Sequence, residues 1–218
     1  MHDRGLLYGQ SVFETIAVVN GKACLLDLHI ERLERGCKTL GIPLNTDLLL
    51  NELLGFIANC SKSVLRVTLT MGMGGRGYLN PEQAESVRIL TLHEYPVQPP
   101  AHWDCGIELG VAKIRLASQP ALAGIKHGNR LEQVIGRSQW QDSWREALLL
   151  DQAGNVIEGT QSNVFIVKAG QLLTPSLENA GVAGVMRSFI LSNAYKLGLN
   201  TEIMSCLLYT SPSPRDRG

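Results

Sequence analysis

A chain of 218 residues, 44% hydrophobic and 18% charged, has the apolar material for one large or two small folded domains, which excludes global disorder. Twenty Lys and Arg balance twenty Asp and Glu, so the basic excess that nucleic-acid binding needs is missing. No apolar run reaches the roughly 20 residues of a spanning helix. MHDRGLLYGQ lacks the layout of a signal peptide, and five scattered cysteines form no C-x-x-C pair, so the expectation is a soluble cytoplasmic protein with reduced thiols. Glycine, at 22 residues, exceeds the usual share of roughly 7%, which predicts many special backbone positions.

The elements follow from periodicity. VFETIAVVNGKACLL (12–26) sets two apolar runs around Asn20-Gly21, predicting a hairpin, because both turn positions need positive φ. A helix over 28–40 is expected, capped by Asp27 and stopped by Gly41 and Pro43, with Ile30, Leu33, Cys37 and Leu40 inward. A second is expected from Thr46, as its cap, to about Ala58, burying Leu49, Leu50, Leu53, Leu54 and Ile57. In VLRVTLTM the period becomes two, predicting a half-buried strand with Leu65, Val67, Leu69 and Met71 inward. The glycine-rich loop GMGGRGY (72–78) leads to a partner strand, SVRILTLH (86–93), and proline-rich EYPVQPPAHW (94–103) reads as a linker.

The second half opens with a strand, IELGVAKI (107–114). After AGIKHGN, Asn129 and Glu132 suggest a capping-box helix start with Leu131, Val134 and Ile135 as its apolar face. ALLLD (147–151), VIEG, NVFIVK (163–168) and LLTP read as an antiparallel meander, followed by a helix over 184–197 burying Val185, Met186, Phe189, Ile190 and Leu197. From Cys206 on, CLLYTSPSPRDRG fits neither helix nor strand and reads as a flexible tail or a foreign sequence.

Several side chains could carry chemistry, each against a plainer reading. Lys126 is a surface lysine unless its apolar approach and the dipole of the following helix disfavour the ammonium, the condition for imine chemistry. Glu158, between an apolar strand and a glycine, is a turn acid or a buried carboxylate that needs a cation, such as a protonated pyridine nitrogen. NAGVAGVMR (179–187) is an ordinary turn or an anion-binding helix start. Arg32 makes a surface ion pair or turns inward to a phosphate. Arg76 and Tyr78 are a loop tip or a clamp for a carboxylate-bearing substrate. His127 could tune the lysine or merely pack, and the histidines have no metal-ligand spacing, so no metal site is expected.

The order DRG-x-x-YG, VFET, HIERL, GGRGY, AGIKHGNRLEQV, IEGTQSNVF, AGVAGVMR resembles the fold-type IV pyridoxal-phosphate enzymes over about residues 2–204. The resemblance implies an α+β chain: a small N-terminal α/β domain (1–93), a linker (94–103) and a larger, incomplete mixed β/α domain (104–205) that binds pyridoxal 5'-phosphate, with a tail over 206–218. It implies that Lys126 binds the cofactor as an imine, that Glu158 holds the pyridine nitrogen, and that Arg32 and the amides of Val185 and Met186 hold the phosphate. The GGRGY and AGIKHGNRLEQV forms are similar to the aminodeoxychorismate lyase branch, and Leu131 stands where branched-chain aminotransferases carry a tyrosine. That branch implies an elimination: Lys126 takes the C4 proton of 4-amino-4-deoxychorismate, the enolpyruvyl group leaves, and 4-aminobenzoate and pyruvate form. Arg76, Tyr78, Thr15 and Tyr8 are the expected substrate contacts, and a homodimer is expected, a loop of one subunit often reaching the other's site in this family. The alternatives are a branched-chain or D-amino-acid aminotransferase and a cofactor-binding but inactive fragment, since the family's first strand and last elements have no counterpart in the sequence.

Overall fold

The computed structural model describes residues 2–207, which gather into two units. The first holds the chain up to Gln98 together with Ile125–Asn129; the second holds Pro99–Gly124 and the described residues from Arg130 onward.

In the first unit, Asp3 accepts hydrogen bonds from the Gly5 and Leu6 amides and so starts α1 (Arg4–Tyr8), and Gly9, at φ 67°, ends it. β1 (Ser11–Val19) and β2 (Lys22–Ala23) form the expected hairpin, with Asn20 and Gly21 at φ 50° and 71°. α2 (Leu26–Leu40) and α3 (Thr46–Ile57) follow, then β3 (Lys62–Thr70) and β4 (Val87–His93). The sheet order is β2-β1-β3-β4, antiparallel throughout. Its core joins Val12, Ile16 and Val18 of β1, Leu33 and Cys37 of α2, Leu49, Leu53 and Ile57 of α3, and the alternating residues Leu65, Val67 and Leu69 of β3, with Met71 just beyond. Ile30 and Leu40 pack at its margin.

Three expectations are corrected here. Asp27 lies inside the first turn of α2, where its charge favours the dipole but its side chain does not cap; Leu25, in the left-handed region, is the cap residue. Asn45, not Thr46, caps α3, accepting from the Leu48 amide, while the Thr46 hydroxyl donates to Glu34 instead. Leu54 points outward at 48% exposure, because the buried stripe of α3 runs through Leu49, Leu53 and Ile57.

The second unit contains α4 (Ala101–Cys105), which begins inside the expected linker, β5 (Leu109–Leu116), α5 (Leu131–Ser138), β6 (Glu146–Asp151), β7 (Asn155–Gly159), β8 (Ile166–Lys168), β9 (Gln171–Pro175), α6 (Val185–Asn193), a 3-10 turn (Ala194–Leu197), β10 (Asn200–Met204) and β11 (Cys206–Leu207). The expected meander is two hairpins in different sheets: β6 and β7 belong to β11-β7-β6-β5, while β8 and β9 belong to β10-β9-β8. The chain turns away after Gly159, so β8 pairs with β9 and not with β7. β5 with β6 and β9 with β10 are parallel, as crossover connections require.

Further corrections concern the helices and the tail. α5 starts at Leu131 without a side-chain cap: Asn129 donates to the Gly9 carbonyl, and Glu132 accepts from the Ala117 amide. Leu131, Val134 and Ile135 are exposed, as are Met186, Phe189 and Leu197 around α6, whose buried side chains are Val185 and Arg187. Residues 206–207 form a strand antiparallel to β7, whereas the rest of the expected tail lies outside the described residues. Among the described residues, no helix is long and apolar enough to cross a membrane.

Candidate active site

Lys126 belongs to the segment Ile125–Asn129, which lies along β1 in the first unit. The Phe13 amide donates to the Lys126 carbonyl at 3.0 Å and the Gly128 amide to the Ser11 carbonyl at 2.8 Å, while Val12 bridges His127. The approach is close enough that a Cβ on Gly128 would lie 2.1 Å from the Ser11 hydroxyl, which would have to rotate away. The half-buried Lys126 amine sits 4.6 Å from the centre of the Phe13 ring, with the Arg66 guanidinium at 4.0 Å from the same centre.

Arg32 turns inward and is buried. Its Nε donates to Glu14 Oε1 at 2.7 Å and a terminal nitrogen donates to Glu14 Oε2, while His29 Nδ1 lies 2.6 Å from that same oxygen. Glu14 is 1% exposed. Burial pushes its carboxyl pKa up, but hydrogen bonds from Arg32 and His29, with their charges, outweigh this and hold it below the ordinary value. Sequence reading missed this carboxylate, since an acid at the fourth position of a buried strand run is a signal only once its partners on α2 are known.

Of the expected substrate contacts, Tyr8 and Tyr78 meet edge to face at 5.3 Å. Arg4, not singled out from sequence, lies 4.8 Å from the Tyr8 ring centre and donates to the Gly77 and Tyr78 carbonyls. Arg76 is exposed on the same loop, and Thr15 is exposed on β1, opposite Arg66 of β3.

In the second unit, Glu158 is the last residue but one of β7 and is 4% exposed. Its Oε2 accepts the Val182 amide at 2.8 Å, and Gln133 Nε2 points to its Oε1 at 3.4 Å. Burial holds the Arg130 guanidinium below its ordinary pKa, and the charges of Glu158 and then Glu132 oppose this only in part. Gly181, at φ 85°, belongs to the same turn, where a Cβ would lie 2.7 Å from Ile157 and 3.3 Å from the Glu158 carboxylate. Val185 and Met186 open α6 behind Gly184, which offers no side-chain cap, so the first-turn amides depend on another acceptor. Arg187 is tied down through Thr174 and the Pro175 carbonyl.

Glu146, also missed from sequence, holds the turn just after Glu158. Its Oε1 accepts from the Ala147 amide, the Thr160 amide and the Thr160 hydroxyl at 2.8, 2.9 and 2.6 Å. Its Oε2 accepts from the Gln161 amide and the Ser162 hydroxyl at 3.2 and 2.9 Å.

The first unit thus holds a half-buried amine beside an aromatic ring, and the second holds a buried carboxylate and a helix start without a side-chain cap. Residues 11–209 match the family described as Amino-transferase class IV, and the chain belongs to that family, whose enzymes depend on pyridoxal phosphate. Within it, the chain is similar to the crystal structure of 4-amino-4-deoxychorismate lyase from Pseudomonas aeruginosa, with 44% identity and a TM-score of 0.93, covering 96% of this chain and 78% of that one. It is 33% identical to the aminodeoxychorismate lyase of Vibrio harveyi, over 92% of this chain and 75% of the relative. It is also 32% identical to a putative branched-chain-amino-acid aminotransferase of Methanocaldococcus jannaschii, over 90% and 69%. The α+β fold with fold-type IV architecture read from the motifs is thereby shown.

Proposed function

We propose that this protein is a pyridoxal-phosphate-dependent lyase that splits 4-amino-4-deoxychorismate into 4-aminobenzoate and pyruvate, a step toward folate. The observation that carries the reading is the likeness to the Pseudomonas lyase across nearly the whole chain, at an identity well above that of the aminotransferase relative. Leu131, in place of the tyrosine expected of a branched-chain aminotransferase, supports it.

The residues present fit the cofactor. Glu158, buried with one oxygen engaged by a main-chain amide, has the charge a pyridinium nitrogen needs. The uncapped amides of Val185 and Met186 suit a phosphate, with Arg32 as a further cation held in one orientation by Glu14. Lys126 supplies the amine. When bound, the cofactor supplies an electron sink conjugated to the substrate's amine. Lys126 then takes the proton from substrate C4 and returns it to the departing enolpyruvyl fragment, while Glu158 keeps the ring nitrogen protonated. Arg76, Tyr78, Thr15 and Tyr8 are the substrate contacts in this reading, Arg76 for a carboxylate. The exposed apolar face of α5 (Leu131, Val134, Ile135) supports a homodimer.

The test is a product assay on protein reconstituted with the cofactor. Pyruvate and 4-aminobenzoate are expected in equal amounts, with the cofactor's visible band and the activity both lost in Lys126→Ala. Amino-group transfer to a 2-oxo acid with no pyruvate release would replace the lyase reading by the aminotransferase one, and an intact band in Lys126→Ala would remove Lys126 from its role.

A further inference from the structure

We propose that Arg4 is the positioning residue of the 74–80 loop, setting where Arg76 and Tyr78 stand toward a carboxylate-bearing substrate; this rests on the lyase reading above. The loop between β3 and β4 forms no helix or extended strand of its own, so its shape comes from what ties it down. Arg4 is 2% exposed, and each of the three nitrogens of its guanidinium donates a hydrogen bond within this unit. One terminal nitrogen donates to the Gly77 carbonyl and the other to the Tyr78 carbonyl, each at 3.0 Å, and Nε donates to Gln10 Oε1 at 2.6 Å. These two carbonyls lie on either side of Tyr78 in the chain, two residues beyond Arg76. Gln10 extends the tie, donating to Asn80 Oδ1 at 2.8 Å and to the Leu40 carbonyl at 2.9 Å. Gly74 closes over the arginine, where a Cβ would lie 2.5 Å from Arg4 Cδ.

Arg4 itself is fixed from behind. Its amide donates to the Gly72 carbonyl at 2.9 Å, and Asp3, which caps α1, takes the Thr70 hydroxyl at 2.6 Å. The anchor therefore joins the end of β3 to the loop tip through a planar, two-pronged donor, which lysine cannot reproduce. Tyr8, under the guanidinium, places its ring edge-on to Tyr78, so α1 orders a loop side chain as well as the loop backbone.

The experiment compares wild-type and Arg4→Lys cofactor-loaded enzyme by hydrogen exchange and by steady-state kinetics. In Arg4→Lys, amides of 74–80 exchange faster while those of β1 and β3 keep their protection. KM rises by about tenfold, the factor that 1.4 kcal/mol represents, with kcat within twofold and the visible band unchanged. Tyr8→Phe, which keeps the ring, should leave loop exchange unchanged and serves as the folding control. Unchanged loop exchange, exchange that rises through the whole first unit, or a mobile loop with an unchanged KM would each overturn the proposal. If the wild-type enzyme makes no 4-aminobenzoate, the lyase reading fails and takes this one with it; if it does and KM stays put, only the positioning role fails.

Discussion

Glu146→Gln isolates one carboxylate that organises the turn following Glu158. The replacement preserves shape, so its cost is chemical. With its amide oxygen on the Oε1 side, glutamine keeps the three donors from Ala147 and Thr160. Its NH2 then faces the Gln161 amide and the Ser162 hydroxyl, which formerly donated to Oε2. The hydroxyl can rotate and accept; the Gln161 amide cannot, and two donors oppose each other. One main-chain hydrogen bond is lost, and the remaining ones lose their charge assistance, which together cost about 1–3 kcal/mol. All three tryptophans, Trp103, Trp140 and Trp144, lie in the second unit, so intrinsic fluorescence during urea unfolding reports on this change. The midpoint should fall with an unchanged slope. Because the Gly159 amide donates to the Ser162 carbonyl at 2.7 Å within this turn, the end of β7 loosens too, and affinity for pyridoxal phosphate should fall along with stability. A loss below about 0.5 kcal/mol, the range of an ordinary surface change, would refute the claim that this carboxylate holds the turn. Gly159→Ala tests it from the other side, since a Cβ there would lie 2.8 Å from the Glu146 carboxyl carbon and 2.5 Å from the Ser162 hydroxyl.

Other outcomes follow from the first unit. Glu14→Gln removes the anion from a buried pair with Arg32 and should cost about 3–5 kcal/mol, read by chemical unfolding of the cofactor-free protein. Because the Glu14 carboxyl titrates below its ordinary value when folded, its contribution is complete above about pH 4.5 and is lost as pH falls through the folded value; the acid limb of the stability curve should therefore be shallower in Glu14→Gln, and an identical limb would contradict the pairing. Burial, with the Glu34 charge adding to it, pushes the Cys37 thiol up to about 12, so iodoacetamide at pH 8 should alkylate exposed Cys24 and Cys105 and spare Cys37 until the protein unfolds, as peptide mapping would show. That raised value also means stability should decline as pH rises above about 9, where the unfolded thiol ionises first. Gly21→Ala puts a side chain at φ 71° with its Cβ 2.8 Å from the Ala58 carbonyl oxygen, and should cost about 1 kcal/mol or more in a thermal melt.

What was legible in the sequence was what repeats or punctuates. Leu65, Val67, Leu69 and Met71 alternate because one face of β3 meets the core, and Asn20-Gly21 marks the hairpin because it is one of the few pairs that take two positive φ values at little cost. Lys126, Glu158 and Arg32 are each a weak signal from their flanking residues alone, and it is the resemblance carried by the motif order that singles them out. Cap positions were less legible. Asp27 and Thr46 are both good capping residues, but the chain enters α2 through Leu25 in a left-handed turn and α3 through Asn45, one residue earlier than the strongest apolar period suggested. The split of the meander was not legible either, because β6–β7 and β8–β9 are each ordinary hairpins and only the turn at Gly159 separates their sheets.

The least legible residues are those that hold others in place, and they share a physical reason. Glu14 acts on Arg32 across 18 positions, Glu146 on Thr160 across 14, and Arg4 on Tyr78 across 74. None lies near its partner in sequence, so no local spacing reports the pairing. What they have in common is burial of a charge: 1%, 9% and 2% exposed respectively. A buried charge is tolerated only when its hydrogen-bonding capacity is met, and a fully met side chain has a single orientation. Each therefore fixes a second group: Arg32, the turn after Glu158, or the loop bearing Arg76. Lys126, Glu158 and Arg32 stand out only through the order of the motifs that hold them; Glu14, Glu146 and Arg4 become visible only when the fold has brought the charges to their partners.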